Sequence, residues 1–409
     1  MFNIRKSITT ATVMWMVASL FYAYQYILRV MPSIMLDGIM LRFHMDSGMV
    51  GQFSGIYYIG YSLFHLPIGI LLDRYGPRNV IPCCILLSIV GILPIVCTEH
   101  WIWPILGRLA TGIGSSAAIL GVFKIIRMAY SEERFGRMLS FSVMIGLLGA
   151  IYGGTPVRYL GKFLNYQMVF AILALVGTLL ALITYWVVPP MEDTRDEVRP
   201  SSPFAGIGSV LKNAKVMIIC LSAGLMVGPL EGFADIWGPK FLNQILHIDA
   251  SKATFITSMT FMGMCFGSPV LNFIAEKSKS YLGTIIFSGL LMFVIFTLLV
   301  TSLLSNTTVL AIGLFLVGIC SAYQILAIYK ASTYVHENVA GITTAMANMV
   351  IMIFGYVLHG MIGSVTKLFG GIEMELAFRW GIAVIPMALL LGVIGFVVVA
   401  HMAKKHVKK

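Results

Sequence analysis

The chain alternates between long apolar segments and short polar ones. A membrane-crossing α-helix needs about 20 mostly apolar residues, and twelve segments meet that requirement. They are predicted at residues 9–35, 47–71, 79–98, 101–128, 138–160, 167–188, 215–240, 251–275, 281–304, 308–332, 341–366 and 376–402. The predicted fold class is therefore an all-α membrane protein with twelve transmembrane helices, numbered spans 1 to 12 in chain order.

The composition shifts most in the stretch 189–214, which carries four prolines and clustered charge. It predicts a cytoplasmic linker between an N-terminal six-helix half, 1–188, and a C-terminal six-helix half, 215–409. Within it, residues 204–216 space their apolar positions as a short helix lying in the membrane interface does. The first apolar run, 9–35, is too long for the apolar region of a signal peptide and is interpreted as a retained span.

Composition agrees with a membrane protein. The 409 residues are 58% hydrophobic and 11% charged, whereas a soluble domain has about 25% charged residues. The net charge of +11 comes from basic residues scattered between spans, and a nucleic-acid binder would gather them in a stripe. With the N-terminus inside, nineteen lysines and arginines fall in cytoplasmic segments and seven in outer ones. The positive-inside rule then places both termini in the cytoplasm, and we expect a multi-pass protein of a bacterial inner membrane.

Cofactor motifs are missing from the sequence. The six cysteines lie in or beside apolar runs with no C-x-x-C spacing, so neither a zinc site nor a disulfide framework is predicted. No G-x-x-x-x-G-K-[ST] phosphate cradle occurs. We expect no cofactor and no metal, and any transport would have to run on gradients rather than on ATP.

The polar turn between spans 2 and 3 is the most specific motif. It follows the pattern G-x-x-x-D-R-x-G-x-R, and its defining residues are Gly69, Asp73, Arg74, Gly76 and Arg78. The pattern resembles the loop 2–3 signature of the major facilitator superfamily of secondary transporters, although Pro77 stands where that family usually has a basic residue. The resemblance implies two pseudo-symmetric halves around a central cavity.

The same resemblance implies a conformational latch formed by these five residues. The loop acid, Asp73, would lie near the start of span 11 and hold the outward-open state. A carboxylate at a helix N-terminus is stabilised by about 0.3–1 kcal/mol.

Span 4 contains Arg108, Gly112 and Gly114, which resemble the family's R-x-x-x-G-x-G pattern. The glycines are expected to allow close helix packing, as is the Gly149-x-x-x-Gly153 pair of span 5. Arg108 either faces a substrate cavity or has a structural role, and the sequence leaves both open.

Ionisable side chains inside spans cost at least about 2.5–3.5 kcal/mol each and usually face a cavity. In span 1, Tyr22, Gln25, Tyr26 and Arg29 fall on one helix face. The two-pronged guanidinium of Arg29 could hold a substrate carboxylate. The alternative is a salt bridge to Asp37.

Span 2 places Tyr57, Tyr61 and His65 on one face, with Tyr58 alongside. The tyrosines are candidate substrate contacts. A histidine ordinarily titrates near physiological pH, so His65 could relay protons, but a lone buried histidine is more often simply hydrogen-bonded.

Span 7 carries two carboxylates, Glu231 and Asp235, at i and i+4 of the predicted helix. Pro229, Gly232 and Gly238 predict a bend or break, and transporters place such breaks at binding sites. Glu231 is the preferred proton carrier or partner for a substrate amine. Asp235 either shares that role or pairs with Lys240.

Further polar residues of the spans complete the candidate substrate-binding set. They are Arg158 in span 5, Tyr323 and Gln324 in span 10, and Asn348 and Tyr356 in span 11. His359 of span 11 is also polar enough to line a cavity.

A finer resemblance lies in the stretches 24–33 and 232–238, which look like bacterial relatives of the lysosomal dipeptide carrier group. It implies proton-coupled uptake of an amino acid or short peptide, with Arg29 or Arg158 on the carboxylate and Glu231 on the amine or proton. One alternative is uptake of an organic anion such as a carboxylate siderophore. Another is a non-transporting membrane sensor. The sequence shows no nucleophile–base pair, so we do not expect an enzyme. The expected partners are a small solute, protons and the lipid bilayer. The chain is expected to act as a monomer.

Overall fold

The computed structural model describes residues 8–160, 163–190, 207–304 and 306–407, and within them it contains helices and no β-strand. Twelve helices in this described part are long and apolar enough to cross a membrane. They coincide with the twelve predicted spans to within a few residues at most ends. The predicted linker lies mostly outside the described residues, and its described end forms a short helix, Ile207–Lys212.

Spans 1 to 6 form the first set of helices. Their bounds are Ile8–Val30 with a 3₁₀ turn at Met31–Ser33, Ser47–Tyr75, Pro77–Cys97, Ile102–Ser115 with Ala117–Ala129, Glu132–Leu160, and Tyr166–Val187. A short helix, Leu36–Phe43, follows span 1 in the predicted outer loop.

Spans 7 to 12 form the second set. Their bounds are Ala214–Leu225 continued by Gly228–Trp237 and Gly238–Ile245, Ala250–Lys277, Tyr281–Val300, Thr307–Ser321 with Tyr323–Ser332, Glu337–Leu368, and Glu375–Val407.

The chain divides into two compact units. The first comprises residues 1–44 and 56–193, and the second comprises residues 45–55 and 194–409. The division after residue 193 falls inside the predicted linker. Sequence inspection did not anticipate that residues 45–55, the first part of span 2, group with the second unit.

Glycines bring helices of the first unit into close contact. A Cβ on Gly112 would collide with the Tyr57 carbonyl of span 2, and one on Gly114 with the Cys84 carbonyl of span 3. A Cβ on Gly149 would collide with the Ala23 carbonyl of span 1. These contacts confirm the predicted packing role of the span 4 and span 5 glycines. Gly69 differs, because the nearest atom to its added Cβ is a Leu120 methyl at 3.9 Å.

Glycines also bring helices of the second unit into close contact. Spans 8 and 10 meet where a Cβ on Gly263 would overlap the Phe315 carbonyl and one on Gly318 the Thr260 carbonyl. The segment 45–55 packs on span 11 in the same way, with Gly51 against the His359 carbonyl. Backbone contact of this closeness explains why that segment belongs to the second unit.

Candidate substrate-binding residues

Arg29 lies at the end of span 1 and is only 6% exposed. Its guanidinium carbon lies 5.1 Å from the ring centroid of Tyr26 and 5.0 Å from that of Tyr58. A guanidinium can stack on aromatic faces while its N–H groups point outward in its plane. The two rings therefore restrict the orientation of the cation.

A polar and aromatic cluster surrounds this arginine within the first unit. The Tyr57 hydroxyl donates to Oε1 of the buried Gln25 at 2.7 Å. The rings of Tyr57 and Tyr61 stack with centroids 6.2 Å apart, and those of Tyr22 and Tyr26 meet edge to face at 5.4 Å. The structure thus brings the candidate residues of spans 1 and 2 together.

His65 continues the row on span 2. Its ring lies 5.3 Å from that of Tyr61, and its side chain is half-buried. The row Tyr57, Tyr61 and His65 is therefore the continuous face that the sequence spacing predicts.

Arg108 is 1% exposed and binds the end of span 1. Its Nη1 donates to the Leu28 carbonyl at 3.0 Å and its Nη2 to the Arg29 carbonyl at 3.3 Å. Pro32 has no N–H to offer the Leu28 carbonyl four residues earlier, and the helix gives way to a 3₁₀ turn there. Arg108 supplies the missing donor, which favours the structural alternative for this residue.

The end of span 2 is joined to span 4 by an ion pair. The Lys124 ammonium of span 4 lies 2.7 Å from Oδ1 of Asp73, whose side chain is 75% exposed. Arg74 stacks over Tyr75 at 5.3 Å and Arg78 over Tyr185 at 4.7 Å. The structure thus gives Asp73 a partner on span 4 that sequence reasoning did not name.

Gly76 makes the turn into span 3 possible. Its φ of +74° and ψ of 160° place it in a region that only glycine adopts without strain. A side chain at this position would strain the turn that sets Asp73 and Arg78 on either side of it. The glycine of the motif is therefore required by backbone geometry.

In the second unit, Glu231 and Asp235 are 3% and 1% exposed. They lie in a π-helical segment, Gly228–Trp237, rather than in the α-helix that the i, i+4 reading assumes. The predicted break in span 7 is thereby confirmed, in the form of a wider helix whose hydrogen bonds run to the fifth residue back. Such segments occur frequently at functional sites.

The end of this π-helix is joined to span 11 by a hydrogen bond. Nε1 of the fully buried Trp237 donates to Nδ1 of His359 at 3.1 Å. Because an indole nitrogen is only a donor, Nδ1 of His359 must be the acceptor and its proton, in the neutral ring, lies on Nε2. This Trp237–His359 pair was not identified from the sequence.

Tyr323 has a structural contact of the same kind as Arg108. Its hydroxyl donates to the Ala223 carbonyl of span 7 at 2.6 Å, and its side chain is fully buried. The helix Ala214–Leu225 ends two residues later, before Pro229.

The other predicted residues in spans 10 and 11 are the buried Gln324 and the half-buried Asn348 and Tyr356. Arg158 of span 5 is also half-buried.

An ion pair also joins the N-terminal end of span 2 to span 11. The Lys367 ammonium lies 2.9 Å from Oδ2 of Asp46, and the Met49 N–H donates to Oδ1 at 2.9 Å. Partial burial raises the pKa of Asp46, but the Met49 N–H and the Lys367 ammonium together hold it below its ordinary value. The carboxylate is therefore ionised at neutral pH.

Comparison with known proteins agrees with this architecture. The Major Facilitator Superfamily model matches residues 13–360. NicT of Pseudomonas putida, provisionally named a metabolite transport protein, is 22% identical over 353 residues, 78% of each chain. A bacterial homolog of the human lysosomal transporter Spinster, in an inward-facing and occupied conformation, superposes with a TM-score of 0.74 at 15% identity, covering 95% of this chain and 96% of that one. The nucleoside transporter NupG gives 0.77 at 15% identity, covering 94% and 98%.

The chain therefore belongs to the Major Facilitator Superfamily. It is a multi-pass membrane transporter with the twelve-helix fold of two halves that these solved structures share. The names of the similar proteins and structural neighbours refer to transport of metabolites, nucleosides and sugars. Family membership alone therefore does not identify the transported solute.

Proposed function

We propose that this transporter takes up a small zwitterionic solute, an amino acid or short peptide, together with protons. The observation that carries the proposal is the buried guanidinium of Arg29, stacked between Tyr26 and Tyr58. A charged side chain inside a membrane span is energetically costly and usually marks a functional site. A guanidinium can bind a carboxylate through two parallel N–H···O hydrogen bonds.

Span 7, in the second unit, carries two buried carboxylates. Glu231 and Asp235 are buried in the π-helical part of span 7. We assign to Glu231 either the substrate amine or the transported proton, with Asp235 and His65 as further protonation sites. The finer resemblance of residues 24–33 and 232–238 to the dipeptide carrier group favours the same solute class.

Uptake of a multiply charged organic anion is the competing proposal, and it needs several cations in contact with the substrate. Arg108 already directs both terminal nitrogens at backbone carbonyls. A structural role for Arg108 weakens this competing proposal. A sensor role has no observation in its favour.

A ligand screen tests the solute class. The purified protein is heated with dipeptides, amino acids and di- or tricarboxylic acids, because a ligand specific for the folded state raises its stability. Selective stabilisation by amino acids or dipeptides supports the proposal. Stabilisation by multi-carboxylates alone would overturn it in favour of anion uptake.

A further inference from the structure

The first unit has a groove on its surface between spans 3 and 6. Its volume is about 290 Å³, and its lining includes Pro82, Cys83 and Leu86 from span 3 and Ala181, Leu182 and Tyr185 from span 6. Leu86, Leu182 and Tyr185 are 45%, 52% and 43% exposed. Apolar side chains that are exposed on a membrane span face lipid chains, so the groove is open to the bilayer.

One end of this groove has a fixed cation. The Arg78 guanidinium lies 4.7 Å above the ring of Tyr185, which itself lines the groove. Stacking on an aromatic face holds a guanidinium in place while its N–H edge remains able to bind phosphate. Asn79, which also lines the groove, adds an amide at the same end.

Among the residues that the structure describes, the charge around this end is positive. Asp73 is engaged by Lys124 at 2.7 Å, while Arg74 and Arg78 carry two further positive charges in the same loop. Tyr185 and Trp186, whose rings meet edge to face at 6.3 Å, form an aromatic pair beside it. Tyrosine and tryptophan are enriched at the depth of lipid headgroups.

We propose that this groove is a binding site for an anionic phospholipid. The phosphate group binds the N–H edge of Arg78, and one acyl chain fills the apolar groove between spans 3 and 6. The charge at the rim selects an anionic headgroup over a zwitterionic one. The site lies entirely within the first unit and is independent of the transported solute.

Native mass spectrometry of the purified protein tests the site with two probes, phosphatidylglycerol and phosphatidylcholine of the same acyl chains. We expect about a fivefold preference for phosphatidylglycerol, the ratio that one arginine near a membrane surface produces. Arg78→Gln should bring that ratio close to one. Equal binding of the two lipids to the unaltered protein would overturn the proposal.

A matched pair of variants tests the groove itself. Cys83 is exposed and lines it, whereas Leu93, on the same span, is 44% exposed and lies outside the lining. Cys83→Phe should reduce binding of both lipids several-fold, and Leu93→Phe should leave binding unchanged. Equal effects of the two phenylalanines would contradict occupation of the groove by an acyl chain, and the unfolding temperature of each variant shows that it is folded.

Discussion

Arg108 of span 4 donates a 3.0 Å hydrogen bond to the carbonyl of Leu28 at the end of span 1. Tyr323 of span 10 donates a 2.6 Å hydrogen bond to the carbonyl of Ala223 in span 7. Spans 7 and 10 are the first and fourth helices of the second set of six, just as spans 1 and 4 are the first and fourth helices of the first set. Each unit thus satisfies a carbonyl near a helix break with a donor from its own fourth helix.

The Arg108 contact predicts a large loss of stability in Arg108→Ala. Leaving buried carbonyls unsatisfied costs about 1–3 kcal/mol each, so we expect a loss of about 3 kcal/mol in the free energy of unfolding. The exposed Arg134 provides a control, because Arg134→Ala should change it by less than about 0.5 kcal/mol. Denaturant unfolding of both variants measures the difference.

A double-mutant cycle identifies the carbonyl involved. Pro32→Ala restores an N–H that can bond the Leu28 carbonyl four residues back. The loss caused by Arg108→Ala should then be smaller by about 1 kcal/mol than in the unaltered background. Strict additivity of the two substitutions would show that Arg108 does not act by satisfying that carbonyl.

Tyr323→Phe removes only the hydroxyl that bonds Ala223. The Ala223 carbonyl also accepts from the Met226 N–H at 3.2 Å, so the expected loss is the net value of one hydrogen bond, about 1 kcal/mol. Tyr329→Phe, at a half-exposed position of the same span, serves as the control. If both variants unfold at the same temperature, the hydroxyl contact has no stabilising role.

The Asp46–Lys367 pair predicts a pH-dependent contribution. The folded-state pKa of Asp46 lies below its ordinary value, so its stabilisation is present above that ordinary value and is lost as pH falls through the lowered pKa. Both side chains are more than a third exposed, and we therefore expect less than about 1 kcal/mol. The stability difference between the unaltered protein and Asp46→Asn should shrink from pH 6 to pH 3 and in high salt. A difference that grows on acidification would contradict this assignment.

Glu231→Gln tests the proton role in the second unit. A neutral amide of the same shape cannot carry a proton, so uptake should lose its dependence on external pH while the unfolding temperature stays close to that of the unaltered protein. Glu276→Gln changes an exposed carboxylate of the same unit and should retain the dependence. Uptake driven by pH to the same extent in Glu231→Gln would exclude this residue as the proton carrier.

The helices could be predicted from sequence because lipid exposure demands long apolar runs. The glycine contacts of spans 4 and 5 and the interruption of span 7 were also readable, since Gly149, Gly153 and Pro229 limit local geometry in known ways. The loop signature and the family model identify the same superfamily. Local chemistry was thus sufficient for the fold and the family.

The contacts of Arg108 and Tyr323 could not be read from the sequence, because they depend on which carbonyl a helix break leaves without a donor in the folded protein. Pro32, four residues after Leu28, did indicate that the Leu28 carbonyl would lack its helical N–H donor. The π-helical geometry of span 7 had no such signal beyond its glycines and proline. The grouping of residues 45–55 with the second unit follows from Gly51 only when its neighbour on span 11 is known.

The central claim, that Arg29 receives a substrate carboxylate, is tested most directly by pairing each stabilising amino acid or dipeptide with its C-terminal amide. At a hundredfold excess over its Kd, the free acid should stabilise the purified protein by about 2.7 kcal/mol. The amide should give little stabilisation, and Arg29→Lys, which lacks the planar fork, should lose most of the response to the acid. Equal stabilisation by acid and amide, or an unchanged response in Arg29→Lys, would contradict the account.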